Sequence, residues 1–425
     1  MRKASLVIED IKAQKYNDLL KDIYVDEQLL SYQQERYVQA IEKFISLYGD
    51  QDIEIYSTPG RSEVSGNHTD HQHGEVLAAA INLDIIAIVT KSEDSIKILS
   101  DDYDIKAIDI NDLDKRDDEK ETSEGLIRGV LARYQELGYR IGGFQAYMTS
   151  DVLQGSGLSS SAAFEVIVGT VLSGLYNDMS IDPVVIAQVG QYSENVYFGK
   201  PCGLMDQCAC SVGSLIHIDF KDPTKPVVHK IEVDFPEFEH SLCIVDVHAS
   251  HADLTDDYAS IPYEMKQVAK FFNKDVLRDV EEKEFYERLP EIRKAVNDRA
   301  VLRAIHLFAE NQRVEKAVEA LNTKNFDMFK DVIQESGKSS FQYLQNIYSN
   351  HDVNNQAVSI ALALSENILK EHGVCRVHGG GFAGTMQAFV EDDYVDTYKT
   401  EIEKYFGEGS CHILKVRKYG GMKVL

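Results

Sequence analysis

The chain has 425 residues, 44% of them hydrophobic, and carries 70 Asp and Glu against 44 Lys and Arg, a formal net charge of −26. Such a charge repels nucleic-acid backbones and anionic membrane surfaces, although backbone N–H groups or a divalent cation can still hold a small anion. Six Cys fit neither a dense disulfide framework nor a CxxC zinc pair, and no apolar run reaches the roughly 18 residues of a membrane helix.

The first part of the chain has helical and then extended patterns. The N-terminal segment turns acidic without an apolar stretch, so we expect no signal peptide and a reducing, cytoplasmic location. Residues 36–48 have helical spacing and end at Gly49, a typical C-cap. Strands are predicted at 53–57, 75–89 (a buried strand or strand pair), 96–99, 103–110, 143–150 and 215–220, and helices at 125–137 and 184–196.

The charged segment 221–238 contains Pro and is the predicted boundary between two domains, residues 1–225 and 226–425. Beyond it we expect a strand at 242–247, a mostly helical run over 258–372, two strands flanking a Gly cluster within 375–390, and a closing helix and strand. The sequence therefore predicts an α+β fold of two closely associated halves.

One strip, STPGRSEVSGNHTDHQHGEV (57–76), is read as too polar for a core and contains a predicted Pro59-Gly60 turn. His68, His71 and His73 stand at i, i+3 and i+5 beside glycines, so they could reach one zinc ion; surface histidines are the plain alternative. The strip alone leaves both interpretations open.

The segment LQGSGLSSSAA (153–163) joins a strand to a helix. Its glycines allow close backbone approach, and a helix N-terminus offers free N–H groups, an arrangement typical of anion binding. It is neither a Walker A loop nor a dinucleotide fingerprint. The alternative is a turn in which Ser159 caps a core helix.

Two further loops stand out. FGKPCGLMDQ (198–207) puts Asp206 in an apolar setting, where a carboxylate is costly without a partner, and Glu194 lies on the preceding helix. A helix-capping Asp and a solvated Glu are the alternatives. HGGGFAGT (378–385) serves either a tight turn or close backbone approach to a ligand.

Taken in order, PGRxxxxGxHTDxxxG (59–74), GxGLSSSA (155–162), GxxDQ (203–207) and GGGFxG (379–384) resemble the motifs of the GHMP kinase superfamily and, within it, of the galactokinases. The resemblance spans nearly the whole chain. It implies a two-lobed α+β fold with a mixed sheet in the N-terminal part, a helix-rich C-terminal part and the active site between them. It also implies ATP-dependent phosphorylation of the C1 hydroxyl of galactose or a close relative.

The resemblance further implies roles for individual residues. Arg61 and Asp206 match the catalytic pair. The ATP phosphates would lie against Gly155, Ser156, Gly157, Leu158, Ser159, Ser160 and Ser161. Mg²⁺ would be held by Ser160 or Ser161 and by Glu194. The sugar would contact Asn67, His68, Asp70, Gly203 and Tyr258, with Tyr263 as the alternative tyrosine.

The sequence departs from the family on the sugar side. The family's Glu is Asn67, its Val-Asn-Leu-Ile is Ser62-Glu63-Val64-Ser65, and its Tyr after HTD is His71. Because an amide can donate, Asn67 would tolerate a C6 carboxylate, which makes a C6-altered sugar such as galacturonate an alternative substrate. Glu63 argues against that sugar if it points inward.

A non-catalytic sugar sensor is the rival from another class of protein, but Arg61, Asp206 and the Ser-Ser-Ser-Ala segment are intact here, which favours an enzyme. The expected partners are a sugar and ATP, with no nucleic acid and no membrane. A monomer is favoured.

Overall fold

The computed structural model describes residues 1–101, 103–153, 157–248, 254–382 and 384–425. The strands are β1 (Arg2–Lys3), β2 (Asp52–Ser65), β3 (Glu75–Ser92), β4 (Ser95–Ser100), β5 (Tyr103–Asp109), β6 (Gly143–Ser150), β7 (Leu215–Asp219), β8 (Val227–Ile231), β9 (His240–Asp246), β10 (Gly373–Val377), β11 (Thr385–Glu391), β12 (Cys411–Leu414) and β13 (Met422–Lys423).

The helices are α1 (Ala4–Lys12), α2 (Asn17–Tyr24), α3 (Leu30–Tyr48), α4 (Ser123–Glu136), α5 (Ser160–Asn177), α6 (Pro183–Tyr192), α7 (Met205–Val212), α8 (Thr255–Phe271), α9 (Glu282–Glu287), α10 (Leu289–Ala295), α11 (Asp298–Asn322), α12 (Phe326–Ser339), α13 (Ala357–Leu369) and α14 (Val395–Phe406). Two π-helical segments, Ser193–Phe198 and Ser340–Leu344, follow α6 and α12. Within the described ranges, none of these helices is long and apolar enough to cross a membrane.

The larger sheet is mixed and is built on two long strands. Its main path runs β1-β2-β3-β6-β4-β5, with β13 beside β2 and β7 joining β3 to β8. Only the β4–β6 pair is parallel among the pairings described. The smaller sheet is antiparallel, in the order β10-β11-β9-β12. These sheets and their covering helices confirm the predicted α+β class, and 75–89 proves to be one strand.

Apolar clusters form on both faces of the larger sheet. Helices α4, α5 and α6 contribute to the largest cluster together with strands such as β3 and β6, whereas α1, α2 and α3 pack on the opposite face of β2 and β3. Helices α8 to α11 form a cluster of their own, and α13 and α14 pack against the smaller sheet. The helix predicted at residues 36–48 is present within α3, and Gly49 is its C-cap.

The larger sheet extends past the boundary expected at 225/226. Strand β8 lies inside the charged segment 221–238 and pairs with β7, and β13 returns from the C-terminus to pair with β2. The smaller sheet begins only at His240. Both ends of the chain therefore belong to the larger sheet.

The predicted turn at Pro59-Gly60 is wrong, because both residues lie within β2. A register shift against β3 falls between Pro59 and Arg61 and another between Glu63 and Ser65. Proline has no N–H to donate to a ladder and is found where a strand bulges. The local preference of Pro-Gly for turns is overridden here by pairing with the long strand β3.

The second half of β2 is buried, which corrects the interpretation of this strip as outside the core. It lies against the smaller sheet, where Ser62 Oγ donates to Gln387 Oε1 at 3.1 Å and Arg376 Nη1 donates to the carbonyl of Val64 at 2.7 Å. Polar residues tolerate this burial because the facing strands supply partners for them. The strip therefore stands where the two sheets meet.

Candidate functional site

Arg61 joins β2 to the segment LQGSGLSSSAA (153–163), the Gly/Ser loop. Its Nε donates to Asp206 Oδ1 at 2.8 Å, Nη1 donates to the carbonyl of Gly157, and its backbone N–H donates to the carbonyl of Leu158 at 3.2 Å. A Cβ on Gly60 would lie 2.9 Å from that same Leu158 oxygen, so only glycine allows this approach. The strand and the loop are thus in direct contact beside the guanidinium.

Asp206 lies in the first turn of α7 and faces Arg61 across the site. Its second oxygen, Oδ2, accepts a hydrogen bond from Ser159 Oγ at 2.6 Å, and its side chain is 35% exposed. Burial opposes ionisation, but the charge and hydrogen bond of Arg61 and the hydrogen bond of Ser159 together lower the pKa of Asp206. The carboxylate is therefore ionised at neutral pH and does not serve as a helix cap.

The Gly/Ser loop is described from Gly157 onward; Gly155 and Ser156 lie outside the described residues. Gly157 has φ +73° and Ser159 φ +59°, a left-handed conformation that is uncommon for a residue with a side chain. Ser159 makes no capping hydrogen bond to α5 in the described part of the chain, so the alternative of a simple capped turn is wrong. Its hydroxyl is used by Asp206 instead.

A cavity of about 360 Å³ opens beside the first turn of α5. Its lining residues come from β3, the β4–β5 hairpin, α4, β6 and α5: Ile85, Ser100, Asp101, Tyr103, Ile105, Ser123, Leu126, Ser150, Ser160, Ser161 and Phe164. A lining that combines aromatic and aliphatic groups with serine hydroxyls suits a flat heteroaromatic ring attached to a polar chain. Sequence reasoning gave no distinct signal for this cavity, because its walls come from five separated elements.

Two buried acidic side chains, Glu165 of α5 and Glu194 of the π-helical segment after α6, share one hydrogen-bond donor. Gln207 Nε2 donates to Glu194 Oε2 at 3.0 Å and to Glu165 Oε2 at 3.1 Å, and the other oxygen of Glu165 is buried without a partner among the described residues. Burial, followed by the charge of Glu194, raises the pKa of Glu165 well above its usual range. Glu165 was missed from the sequence, although an acid among the apolar residues of α5 was a visible signal.

Asp70 opens the 3-10 turn Asp70–Gln72 in the β2–β3 connection. A Cβ on Gly203 would lie 2.3 Å from Asp70 Oδ2, so the missing side chain of Gly203 makes room for this carboxylate. Burial raises the pKa of Asp70; the charges of Glu63 and Asp206 add to the rise, and His68 opposes it. Asp70 therefore lies beside the loop that leads into α7.

His68 and Tyr258 hold the Gly cluster from two sides. His68 Nε2 lies 2.9 Å from the carbonyl oxygen of Gly380, and the Tyr258 hydroxyl donates to the carbonyl of Gly381 at 2.9 Å. The ring of Tyr258 lies so close to Gly380 that a Cβ there would be 2.6 Å from it. Tyr263, the alternative tyrosine, is 64% exposed.

Asn67 is buried, and its amide is fully engaged by protein. Nδ2 donates to Glu63 Oε1 at 2.9 Å and to the Gly379 carbonyl at 2.6 Å. Oδ1 accepts from Asn346 Nδ2 at 2.8 Å and from Ser340 Oγ at 3.2 Å. Two donors and two acceptor positions are all that a side-chain amide has.

The zinc interpretation of the histidines finds no support in the geometry. The rings of His68 and His71 are 5.6 Å apart between centroids, and His68 contacts the Gly cluster. Burial lowers the pKa of His71 well below its usual value. Within the described ranges, no group of three or more His, Cys, Asp or Glu side chains is placed to hold a metal ion.

Comparison with known proteins gives matches across most of the chain. A model of the GHMP kinases N terminal domain matches residues 125–214, and a galactokinase galactose-binding signature matches residues 42–91. The galactokinase of Actinobacillus pleuropneumoniae serotype 3 (strain JL03) is 33% identical over 371 residues, covering 84% of this chain and 90% of that relative. The galactokinase of Clostridium tetani (strain Massachusetts / E88) is 26% identical over 369 residues, covering 86% and 91%.

Solved structures share the fold. A Lactococcus lactis galactokinase complexed with galactose superposes with a TM-score of 0.75 at 23% identity, covering 90% of this chain and 98% of that one. A Methanococcus jannaschii mevalonate kinase gives a TM-score of 0.59 at 17% identity, covering 86% and 98%. At such identities the superpositions speak for the fold alone.

Proposed function

This chain belongs to the galactokinase family, within the GHMP kinases, and on that premise we propose that it transfers the γ-phosphoryl group of ATP to the C1 hydroxyl of galactose. The observation that carries the proposal is the triangle of Arg61, Asp206 and Ser159. It joins the galactose-signature segment of β2, the helix α7 and the Gly/Ser loop at one point.

Asp206 is the group that orients the acceptor hydroxyl and takes its proton. Its lowered pKa keeps it ionised, and its partly exposed side chain leaves room for a ligand. Arg61 holds the carboxylate in place and adds positive charge near the transferring phosphoryl group. Phosphoryl transfer needs this combination of in-line positioning and charge stabilisation more than covalent chemistry.

ATP is proposed to bind along the Gly/Ser loop, with its base in the cavity beside α5. The base would lie near Phe164 and Tyr103, and the phosphates would pass Ser160 and Ser161 at the helix N-terminus. Free N–H groups and the helix dipole there favour bound phosphate. Gly155 and Ser156, outside the described residues, remain proposed phosphate contacts.

Mg²⁺ is a proposed cofactor, and the side chains present fit it. In the part of the chain that the structure describes, Glu165 has a buried oxygen without a partner, and Gln207 joins its carboxyl group to that of Glu194; a hard divalent cation prefers such oxygen donors. Glu194 and the hydroxyl of Ser160 or Ser161 would hold the ion. When bound, the ion supplies charge neutralisation between the phosphate groups.

Galactose is favoured over galacturonate for an electrostatic reason. The amide of Asn67 is not free to receive a C6 carboxylate, and the site already contains three acidic side chains: Glu63 bonded to Asn67, Asp70 beside Gly203, and Asp206 bonded to Arg61. A uronate would add a fourth acidic group. Asp70, His68, Gly203 and Tyr258 are proposed to surround the sugar. A sensor without catalysis is not favoured either, since Arg61 and Asp206, the proposed catalytic pair, are hydrogen-bonded to each other.

The test is a coupled assay of ADP release across a panel of monosaccharides, with the phosphorylated position assigned by ³¹P and ¹H NMR. We expect galactose to be the best substrate and galactose 1-phosphate the product. Higher kcat/KM for galacturonate or for another hexose, or phosphorylation at a different carbon, would contradict the proposal.

A further inference from the structure

We propose that Glu63, and not Asn67, supplies the carboxylate that accepts a hydrogen bond from a hydroxyl at the end of the sugar opposite the C1 acceptor. The inference rests on the proposed function and names a specificity residue within it. It explains why the polar strip contains a carboxylate two residues after Arg61.

The first support is the difference between the two neighbours. Asn67 is 0% exposed and its amide forms all four hydrogen bonds of which it is capable, so it has nothing left for a ligand. Glu63 receives both of its hydrogen bonds, from Asn67 Nδ2 and Arg376 Nη2, on one oxygen, Oε1. No described residue donates a hydrogen bond to Oε2, and 7% of the side chain is exposed.

The second support is position along β2. Residues 61 to 63 pair regularly with Ala80 to Ala78 of β3, so Arg61 and Glu63 lie on the same face of the strand. Two residues of strand separate them by about 7 Å. The backbone spacing between Glu63 and Arg61, beside which Asp206 would hold the acceptor hydroxyl, is thus comparable to the width of a sugar ring.

The third support is electrostatic. Glu63 forms an ion pair with the buried Arg376, whose Nη2 lies 3.0 Å from Oε1. A purely structural partner of Arg376 would gain most by using both oxygens in a fork-shaped pair. Only one oxygen is used, and the other is left for a hydroxyl donor.

The test compares wild type with Glu63→Gln on galactose, 4-deoxygalactose, 6-deoxygalactose and 2-deoxygalactose. Losing a hydrogen bond to a charged acceptor costs roughly ten- to a hundredfold in kcat/KM. We expect a loss of this size on galactose and on 2-deoxygalactose, and its disappearance on the 4-deoxy or the 6-deoxy sugar, which lacks the contacted hydroxyl. An equal loss on all four sugars, a loss that disappears only on 2-deoxygalactose, or no loss at all would overturn the inference.

Two control variants separate this effect from stability. Glu75→Gln removes a buried ion-paired acid at the start of β3, whose partners are Arg278 and His217. We expect it to lower the thermal midpoint and leave the ratios among the four sugars unchanged. Asn67→Ala is expected to retain the wild-type preference for galactose over the 4-deoxy or 6-deoxy sugar. If Asn67→Ala lost this preference while Glu63→Gln kept it, the contact would belong to Asn67 and the inference would be overturned.

If Glu63→Gln does not fold, Glu63→Asp withdraws the carboxylate while keeping its charge, and the same pattern with a smaller loss is expected. Failure of the inference is distinct from failure of the proposed function. A wild-type protein that does not phosphorylate galactose contradicts the function, whereas an active wild type whose variants lack this sugar pattern contradicts only the role of Glu63.

Discussion

Arg61 Nε and Asp206 Oδ1 lie 2.8 Å apart, although 145 positions of sequence separate the two residues. The pair ties strand β2, which carries Arg61, to helix α7, which carries Asp206. Ser159 completes the contact on the other carboxylate oxygen. The proposed transfer step therefore depends on three chain segments that only the tertiary fold brings together.

Asp206→Asn is expected to reduce kcat by about 10²- to 10⁴-fold, the range typical of losing a general base. The amide keeps the size of the side chain but cannot take the acceptor proton. Steady-state kinetics measure the loss, and calorimetric titration with a non-hydrolysable ATP analogue serves as the control for folding. Native turnover by this variant would contradict the assigned mechanism.

The pH dependence should separate Asp70 from Asp206. The pKa of Asp70 is raised, so this carboxylate becomes protonated at a higher pH than Asp206, whose pKa is lowered. On acidification we expect the KM for galactose to rise before kcat falls. Ser159→Ala removes a hydrogen bond to ionised Asp206, so the acid limb of kcat should move to higher pH. Identical acid limbs of kcat in the wild type and in Ser159→Ala would contradict the assignment of this limb to Asp206.

The sequence predicted most of the architecture because each motif carried a local signal. The Gly/Ser segment ahead of an apolar helix, the strand at 53–57 and the helix ending at Gly49 all have patterns that a short window reveals. The Pro59-Gly60 turn failed for the same reason: a window of a few residues cannot show that β3 pairs along the whole of β2. Local preference was overridden by long-range pairing.

The site could be predicted only in part. The family resemblance predicts that Arg61 and Asp206 act as a pair, and their side chains form an ion pair at 2.8 Å; their catalytic role stays a prediction. Which of Glu63 and Asn67 keeps a free oxygen could not be predicted, since that depends on partners contributed by Asn346 and Arg376, roughly three hundred residues away. Side-chain direction at a buried polar pair is a tertiary property.

Glu165 and Glu194 should control the use of divalent metal. Glu194→Gln is expected to raise the Mg²⁺ concentration for half-maximal activity strongly, and Glu165→Gln by about 10- to 100-fold, as for residues that support a metal ligand. The rise in thermal midpoint caused by Mg²⁺ with an ATP analogue should shrink in both. Without metal and nucleotide, Glu165→Gln should unfold at the wild-type temperature or above, because the variant relieves the proximity of two acids. An unchanged Mg²⁺ requirement in both variants would contradict this role.

His306 should make the fold sensitive to acid. It lies buried between the Asn67 carbonyl and Ser339 Oγ, at 2.9 Å from each, and burial lowers its pKa from 6.5 to about 4. Between these values the unfolded chain binds a proton that the folded one does not, so stability falls as pH drops, by up to about 3 kcal/mol. Urea unfolding of His306→Gln should show a flatter acid limb. His229→Gln, at an exposed histidine, should retain the wild-type slope.

Gly203→Ala should affect sugar binding through Asp70 alone. The added methyl group would lie 2.3 Å from Asp70 Oδ2, closer than any real contact, so the carboxylate must move. We expect the KM for galactose to rise about tenfold or more, as for a lost hydrogen bond to a charged group, with a smaller change in kcat. The measurement is a double-mutant cycle with Asp70→Ala.

In the Asp70→Ala background there is no carboxylate to displace, so Gly203→Ala should add little to the rise in KM. A full additional effect there would mean that Gly203 acts through the backbone of the loop before α7 and not through Asp70. Binding of an ATP analogue, which depends on the other side of the site, should be equal in all four proteins. An altered nucleotide affinity would show that the methyl group disturbs Asp206, three residues further along.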